Sequence, residues 1–442
     1  MLDQSFSGKN FRIIFDISNR NGFFVEDKLS LSSIRKITDD IKVYGNLAKT
    51  NNKSGNKVLA LFFNEVKEQL REVRNLEIDN VLEDISINIS QSSFKIELKQ
   101  IKIPGGKDLY TISNKPEYFF AVKQVQHNIS TLFGVKQSNR HSIVEQLFAL
   151  LNNKFPKTVI RTDISSFYEA IDHESLAKSI NHDNLLSPKS RKIVNGILRS
   201  YCNLSGSKKG VPRGIGVSAY LSELFMRKID QIIRRLPGVT YYARFVDDIV
   251  VIFTPNPNEP NRAYLNEVKN AIETNSSVKT NPAKTFSHEI IDQRTKYNFE
   301  FLGYEFIVQH GKVNTKLTSA KFDKIKDRTK QAFDQYVNFS KVNEKEARKI
   351  LVKRIRFLTG NTRLANNKSK ILIGIYYSNS FLTEMGQIKT LNAKLKNQIN
   401  TRITSTSLKT RLNTYDFLRG FENKKFSSFS AIELKSIMEI WK

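Results

Sequence analysis

The chain has 442 residues, which is enough for two or three domains with a sizeable core. Its 71 Lys and Arg residues against 43 Asp and Glu residues give a formal net charge of +28, which indicates a polyanionic partner, most simply nucleic acid, with an anionic membrane surface as the competing interpretation. A single cysteine, Cys202, excludes disulfides within the chain and Cys-rich zinc modules.

Targeting and membrane signals are missing from the sequence pattern. No apolar run approaches the roughly 20 residues that a transmembrane helix needs. The opening stretch MLDQSFSGKNFRIIF has no basic segment followed by an apolar one, so we expect no signal peptide. The sequence therefore predicts a cytoplasmic protein with no membrane partner.

The N-terminal region mixes helical and strand patterns. The opening stretch predicts a strand, whereas residues 20–47 and 57–76 predict helices. Residues 94–112 alternate between polar and apolar types around the turn sequence PGGKD, which predicts a hairpin. The segment RHSIVEQLFALLNNKF, residues 140–155, predicts an amphipathic helix.

The next elements surround a glycine-rich loop. VIRTDISSFY, residues 159–168, predicts a strand that ends at Asp163, and Asp172 marks a helix start. In GVPRGIGVSAYLSELFM, Gly214 would let the backbone approach a ligand closely. Ser218 is expected to cap the helix that follows, whose apolar residues recur with a helical period.

Paired carboxylates interrupt two runs of β-forming residues in YYARFVDDIVVIF, residues 241–253. This predicts a hairpin with Asp247 and Asp248 at its turn, although the usual tight-turn residues are missing. A solvated acidic turn is the alternative. Together with Asp163 the pair makes three carboxylates on strands that adjoin in one sheet, and three converging carboxylates cannot all ionise without a cation. Oxygen ligands suit Mg²⁺ or Mn²⁺, and two such ions support phosphoryl transfer, so the pattern predicts nucleotidyl transfer on nucleic acid.

The C-terminal region is the most basic part of the chain. After about residue 315 the pattern becomes mostly helical. Residues 321–442 contain 26 Lys and Arg against 10 Asp and Glu, more than half of the net charge. A charge run is usually a solvated face, but a whole helical domain with this bias is expected to lie along a phosphate backbone.

Five short segments occur in a fixed order along the chain, and together they are more specific than any one of them. TDISSFY, VPRGIGVSAYLSEL, RFVDDIVV, TNPAKT and FEFLGYEF, within about residues 159–306, resemble motifs A to E of a reverse transcriptase palm. Two motifs depart from the family. Motif C usually reads Tyr-x-Asp-Asp, where this chain has Phe245. Motif B usually reads Pro-Gln-Gly with Ser-Pro beyond, where this chain has Arg213 and Ala219.

The resemblance implies a role for each matching residue. Catalysis would rest on Asp163, Asp247, Asp248 and Lys284, with the metal held by the three aspartates and the backbone of Ile164. Nucleotide contacts would come from Arg140, Phe167, Tyr168, Arg213, Gly214 and Ser218, with Tyr168 as a steric gate against the ribose 2′-hydroxyl. The primer grip would be Leu302, Gly303 and Tyr304. For Arg140 a solvated side chain, and for Arg213 a structural salt bridge, are the alternatives.

The implied fold is α+β, a right-hand polymerase with fingers and an antiparallel-sheet palm, followed by an α-helical, basic, thumb-like C-terminal domain. We expect the N-terminal region and fingers at 1–155, the palm at 156–312 with part of the fingers at about 175–210, and the thumb-like domain at 313–442. Two Mg²⁺ ions are the implied cofactor, with Mn²⁺ as the alternative.

The implied function is RNA-directed DNA synthesis from dNTPs, with an RNA template and a DNA product. The Pro-Arg-Gly form, SSFYEAID and residues 354–379 resemble bacterial defence-associated reverse transcriptases of the unknown-group and abortive-infection class. That resemblance implies antiviral defence and leaves open a non-coding RNA, a second reverse transcriptase and an oligomer as partners. The competing hypotheses are an RNA-templated RNA polymerase, which a bulky Tyr168 disfavours, and a catalytically silent nucleic-acid-binding scaffold, which three intact aspartates disfavour.

Overall fold

The computed structural model describes residues 2–136, 138–181, 185–259, 261–292, 294–364 and 371–441. Residues 365–370, within the segment 354–379 discussed above, therefore lie outside the described residues. The chain divides into two compact units, and each is described by itself. The first comprises Met1–Ser138, Thr162–Pro237 and Leu265–Thr285, and the second comprises Asn139–Arg161, Gly238–Tyr264 and Phe286–Lys442.

The first unit is mostly helical. Its elements are α1 (Gly8–Arg20), α2 (Val25–Lys28), α3 (Ser32–Lys53), α4 (Lys57–Ser90), β1 (Leu98–Ile101), β2 (Leu109–Ile112), α5 (Pro116–Phe133), α7 (Phe167–Ala170), α8 (His173–Asn181), α9 (Pro188–Ser205), α10 (Gly216–Arg234), α11 (Tyr264–Glu273) and a 3₁₀ turn at Pro282–Lys284. The predicted helices at 20–47 and 57–76 are confirmed in outline, and strands β1 and β2 form the predicted antiparallel hairpin.

The prediction of a strand at the N-terminus is wrong, because residues 8–20 form helix α1. Ser7 caps this helix by accepting a hydrogen bond from the backbone N–H of Asn10. Phe11 and Phe15 are four residues apart and are both fully buried, so they lie on one face of a helix. The short run of apolar residues fits a strand as well as a helix, and burial of this face decides for the helix.

The second unit combines two antiparallel sheets with a helical C-terminal region. Its elements are α6 (Arg140–Leu151), β3 (Lys157–Asp163), β4 (Val239–Phe245), β5 (Asp248–Phe253), β6 (Phe286–Ile290), β7 (Tyr297–Phe301), β8 (Tyr304–Gln309), β9 (Lys312–Leu317), α12 (Ser319–Phe339), α13 (Glu344–Thr359), β10 (Asn361–Arg363), β11 (Leu372–Gly374), α14 (Gly386–Arg402), α15 (Thr406–Leu412), α16 (Phe417–Glu422), α17 (Ala431–Met438) and a 3₁₀ turn at Glu439–Trp441.

The four-stranded sheet has the order β4-β5-β3-β6, so β3 is a central strand. All residues of β3 except Arg161 are buried, so both faces of this strand are covered. The three-stranded sheet has the order β7-β8-β9. Strand β3 continues past Arg161 by two residues that cluster with the first unit, and it ends at Asp163.

The C-terminal helices share one apolar core with the sheets of the second unit, and their presence confirms the helical pattern predicted after residue 315. Phe333 from α12, Leu351 and Ile355 from α13, and Leu395 from α14 are almost completely buried in one cluster. Burying each such side chain contributes about 1.5–3 kcal/mol. The helices can therefore expose basic residues on their outer faces without losing the fold. Among the described residues, no helix is both long and apolar enough to cross a bilayer.

Candidate active site

Two of the predicted acidic residues lie where a tight hairpin joins β4 to β5. Phe245 pairs with Asp248 across the hairpin, so Val246 and Asp247 form a two-residue turn. Val246 has a φ of 61°, in the left-handed region, where a β-branched residue costs about 1–3 kcal/mol. Arg244 is 5% exposed and donates from Nη1 to the Val246 carbonyl oxygen over 2.9 Å, which holds the turn in this conformation. The predicted hairpin is confirmed, and its turn is built without glycine.

Asp163, the last residue of β3, is 5% exposed, and each of its carboxylate oxygens has a side-chain donor. Lys284 Nζ lies 2.9 Å from its Oδ2, and Asn281 Nδ2 lies 3.3 Å from its Oδ1. The Asn281 backbone N–H also donates to the Asp163 carbonyl over 2.7 Å. The TNPAKT segment therefore supplies Lys284 directly to this carboxylate, because Asn281 fixes the 3₁₀ turn that carries it.

The three aspartates converge. Asp163, Asp247 and Asp248 each offer one carboxylate oxygen within 4.8 Å of the others, at one end of the four-stranded sheet. Three hard oxygen donors this close are the donor set that divalent cations such as Mg²⁺ and Mn²⁺ prefer. The residues present therefore fit a divalent cation. Ile164 follows in the chain and forms an isolated antiparallel bridge with Thr280, so its backbone is held in an extended conformation.

Arg161 is a functional candidate that the sequence analysis missed. It lies two residues before Asp163 on β3, so both side chains leave the same face of the sheet. Its Nη2 lies 2.8 Å from Asp248 Oδ1, and the two side chains are 13% and 25% exposed. Such a short, partly buried contact is a charge-assisted hydrogen bond. The signal was present in the sequence as a cation two residues before Asp163, the spacing that puts both side chains on one face of a strand.

Replacing Arg161 with methionine is expected to lower nucleotide incorporation about 10-fold to 100-fold, since a hydrogen bond to a charged group contributes about 1.5–3 kcal/mol. We expect the midpoint of a Mg²⁺ titration to change as well, because Asp248 loses the group that orients it. The Arg161→Lys variant keeps the charge and should recover part of the activity. Incorporation at the wild-type rate by Arg161→Met would contradict this role.

Arg213 and Tyr168 are held together in the first unit. Arg213 Nε donates to Glu169 Oε1 over 2.6 Å, and its guanidinium lies 5.0 Å from the centre of the Tyr168 ring. Lys107 Nζ lies 3.0 Å from Glu169 Oε2. Burial alone would raise the pKa of Glu169, but the hydrogen bonds from Arg213 and Lys107 outweigh it and lower that pKa. A salt bridge for Arg213, one of the two alternatives, is therefore present, and the guanidinium supports the predicted steric gate.

The other motif B and motif A residues have mainly structural contacts. The Phe167 ring is 1% exposed, so Tyr168 is the residue of this pair with exposed ring surface. Gly214 has a φ of 95°, and a Cβ there would lie 2.6 Å from the Tyr110 carbonyl oxygen, so this position requires glycine. The expectation that Ser218 caps the helix is wrong. Helix α10 begins at Gly216, and Ser218 Oγ donates to the Pro212 carbonyl over 2.7 Å, which closes the loop onto the helix.

The predicted primer grip is the turn between β7 and β8. Leu302 and Gly303 both have positive φ, 46° and 76°, and Phe301 pairs with Tyr304. Arg140 Nε donates to the Leu302 carbonyl over 3.0 Å, and its guanidinium lies 5.2 Å from the Tyr304 ring centre. Arg140 thus contacts the turn predicted as the primer grip and is not the freely solvated side chain of the alternative, whereas its predicted nucleotide contact stays a prediction.

Lys321 contacts the same turn. Its Nζ lies 5.0 Å from the Tyr304 ring centre and donates to the Ser378 carbonyl over 3.0 Å. Burial, with a smaller contribution from the Arg140 charge, lowers the pKa of Lys321 to about 7. The Lys321 amine is therefore only partly protonated near neutral pH in the folded protein, whereas in the unfolded chain it stays mostly protonated up to about pH 10.4.

This difference predicts how stability changes with pH. Between about pH 7 and 10.4 the unfolded state binds more protons at Lys321 than the folded state, so this residue makes stability rise with pH over that interval. Replacing Lys321 with methionine should remove that rise. The measurement is the free energy of unfolding of both proteins across the interval, and parallel curves would show that the Lys321 pKa is not lowered.

Comparison with known proteins agrees with this geometry. Residues 118–306 match the sequence model of the family described as "Reverse transcriptase (RNA-dependent DNA polymerase)". The match covers less than half of the chain and shows that these residues are similar in sequence to a reverse transcriptase domain. The combination of helices with antiparallel sheets is the α+β class that the sequence predicts. No curated protein sequence matches the chain at a significant level.

Several solved structures are similar to this chain at low identity. Apo telomerase from Candida tropicalis truncated from its C-terminal domain is 16% identical, with a TM-score of 0.34, and covers 50% of this chain and 55% of that one. Apo telomerase from the same organism is 15% identical, with a TM-score of 0.38, and the match covers 73% of this chain and 70% of that telomerase chain. Telomerase from Candida albicans in complex with a fragment of telomeric RNA is 12% identical, with a TM-score of 0.36, and the match covers 81% of this chain and 64% of that telomerase chain. The chain therefore spans little more than half of the first of these relatives.

Proposed function

We propose that this protein is an RNA-directed DNA polymerase that joins dNTPs into DNA on an RNA template. The observation that carries the proposal is the convergence of Asp163, Asp247 and Asp248 within a reverse transcriptase domain. The oxygen of a 3′-hydroxyl, or of a protein hydroxyl if priming is unusual, attacks the α-phosphate. The bond from that phosphate to the β-phosphate breaks, pyrophosphate leaves, and the hydroxyl proton passes to water.

Residues of this chain bind the cations, donate a proton and select the nucleotide in the proposed reaction. The three aspartates hold divalent cations, for which we propose two Mg²⁺ ions that supply positive charge to the reacting phosphate. Lys284 is a proton donor already beside the carboxylates, 2.9 Å from Asp163, and we assign it protonation of the leaving pyrophosphate. Tyr168 excludes the 2′-hydroxyl of ribonucleotides, and the Glu169–Arg213 pair positions its ring.

We propose the three-part division stated above, with fingers in 1–155 and in part of 175–210, the palm in 156–312 and a thumb-like domain in 313–442. The basic excess of the last part, 26 Lys and Arg against 10 Asp and Glu in residues 321–442, supports contact with the phosphate backbone of template and primer. The turn at Leu302 and Gly303, fixed by Arg140, would hold the primer end.

We also propose a role in bacterial antiviral defence in the cytoplasm, with a non-coding RNA or a second reverse transcriptase as partner. Support comes from the resemblance of Pro212-Arg213-Gly214 and SSFYEAID to defence-associated reverse transcriptases. Phage challenge of cells expressing the wild type or the Asp163→Asn variant tests this role. Equal plaque counts with both would overturn the defence proposal and leave the polymerase proposal intact.

A primer-extension experiment tests the polymerase proposal. Purified protein receives a DNA primer annealed to RNA of defined sequence, Mg²⁺, and either dNTPs or rNTPs. Extension with dNTPs that copies the RNA sequence supports the proposal, and a weaker product with Lys284→Ala supports the assigned proton donor. Extension with rNTPs alone would favour the RNA polymerase alternative. RNA binding without extension, here and with co-purified nucleic acid, would favour the scaffold.

A further inference from the structure

The first unit contains a cavity of about 740 Å³ that the proposed reaction does not use. One wall is helix α9, and the other is the segment Phe94–Glu97 that leads into β1. Apolar groups of Phe94, Ile96 and Ile193 line it, and the side chains around them are mostly basic or amide. A volume of this size is in the range of about 300–1,000 Å³ that small organic ligands occupy.

The rim of this cavity is positively charged. Five cations line it, with one acidic residue, Glu97; the cations are Lys95, Lys189, Arg191, Lys192 and Arg199. Lys189 donates to the Ile89 carbonyl in the last turn of α4, and Lys192 donates to the Ser92 carbonyl just after that helix. Lys95 and Arg199 are exposed and have no hydrogen bond or ion pair to any part of the chain that the structure describes. The fold therefore does not use their charge.

Polar residues on α9 form a stripe along the same wall. Lys192, Asn195, Arg199 and Asn203 follow one another at spacings of three, four and four residues, which places them on one face of the helix. All four are exposed. A row that alternates cations with amides can bind phosphate oxygens and base edges in succession, and such contacts are typical of single-stranded nucleic acid grooves.

Gly196 supplies the observation that packing does not explain. It lies in the interior of α9, where glycine costs about 1 kcal/mol relative to alanine. A Cβ added there would have no heavy atom within 4 Å among the described residues, so no neighbour requires the glycine. Its effect is to leave the cavity wall flat between Ile193 and Arg199, so that a planar group can approach the helix backbone.

We propose that this cavity binds a segment of single-stranded nucleic acid, with one base inserted between Phe94 and Gly196 and the flanking phosphates on Lys95, Lys192 and Arg199. The half-buried Phe94 ring contacts Tyr118 edge-on and has Lys189 Nζ 5.9 Å from its centre, and we propose that a base stacks on its remaining exposed surface, a contact that tolerates any base sequence. The cavity is thus a second nucleic-acid site in addition to the catalytic aspartates, and it holds RNA or DNA that is not being copied.

Two variants and a matched control test this proposal in the full-length protein. Gly196→Leu fills the cavity and should not lower the melting temperature, since leucine favours a helix more than glycine does. Lys95→Glu/Arg199→Glu reverses the two unused charges. The control, Lys36→Glu/Lys53→Glu, makes the same charge change at exposed positions of α3. The probe is a fluorescent single-stranded RNA of about 15 nucleotides containing 4-thiouridine, near the upper site size of such grooves.

We expect photocrosslinks from the RNA at Phe94 or on α9 in the wild type and the control, and their loss in both cavity variants. RNA affinity should fall about 10-fold in Lys95→Glu/Arg199→Glu. The negative slope of log affinity against log salt should become shallower by about 1.4, because two phosphate contacts are lost. Primer extension should continue in all variants, which separates this site from the catalytic one. Unchanged crosslinks and affinity in both cavity variants would overturn the proposal, and so would full competition by AMP, which would assign the cavity to a free nucleotide. An acidic protein that binds in place of RNA would overturn it as well.

Discussion

Replacing Asp163 with asparagine is expected to reduce nucleotide incorporation by at least about 10³-fold, because a lost charged ligand removes several kcal/mol of charge stabilisation from the transition state. The side chain keeps its size, and its remaining carbonyl oxygen still accepts the hydrogen bond from Asn281 that the structure shows at 3.3 Å. The fold should therefore persist. Rates of dNTP incorporation and melting temperatures of the two proteins provide the measurement.

A carboxylate elsewhere in the chain gives the matched control for this prediction. Asp172 accepts a hydrogen bond from the backbone N–H of Ser175 over 2.8 Å and caps helix α8. Asparagine caps helices as well as aspartate does, so Asp172→Asn should retain activity. Activity in Asp163→Asn within about 10-fold of the wild type would contradict the assigned role, since such a change corresponds to only 1.4 kcal/mol.

Replacing Tyr168 with alanine is expected to weaken the preference for dNTPs over rNTPs by about 10²-fold. A pocket that rejects one additional hydroxyl group achieves discrimination of about this size. The ring is well placed for this role because Arg213 lies over it at 5.0 Å and Phe167 packs beside it at 5.4 Å. The measurement is the ratio of kcat/KM for a dNTP and the matching rNTP.

Tyr168→Phe is the control for the steric gate. Phenylalanine keeps the ring, so the preference for dNTPs should remain, whereas loss of the hydroxyl would matter only if hydrogen bonding were responsible. An unchanged preference in Tyr168→Ala would place the discrimination elsewhere in the site. A lost preference in Tyr168→Phe would replace the steric explanation with a hydrogen-bonding one.

Much of the site could be predicted because its chemistry depends on local sequence. The β-forming runs around Asp247 and Asp248 predict a hairpin, and the apolar strand before Asp163 predicts a buried strand end. The resemblance of TNPAKT to motif D assigns Lys284 to the site. These features follow from propensities within a few residues, and the order of the motifs supplies the rest.

The missed features depend on contacts between distant segments. Arg161 bonds Asp248, 87 positions away, and Arg140 bonds the Leu302 carbonyl, 162 positions away. No local pattern gives either distance. Ser218 was misassigned as a cap because the helix begins two residues earlier, at Gly216, and the hydroxyl bonds the preceding loop instead. Tertiary contacts decide the use of such side chains.

The most direct test of the central claim is nucleotide incorporation by the purified protein with its co-purifying nucleic acid. The reaction receives Mg²⁺ and either labelled dNTPs or labelled rNTPs, beside the Asp247→Ala/Asp248→Ala protein. We predict labelled DNA from the wild type with dNTPs and none from the double variant. No product from the wild type with either nucleotide set, or equal product from both proteins, would contradict the assignment of these carboxylates to DNA synthesis.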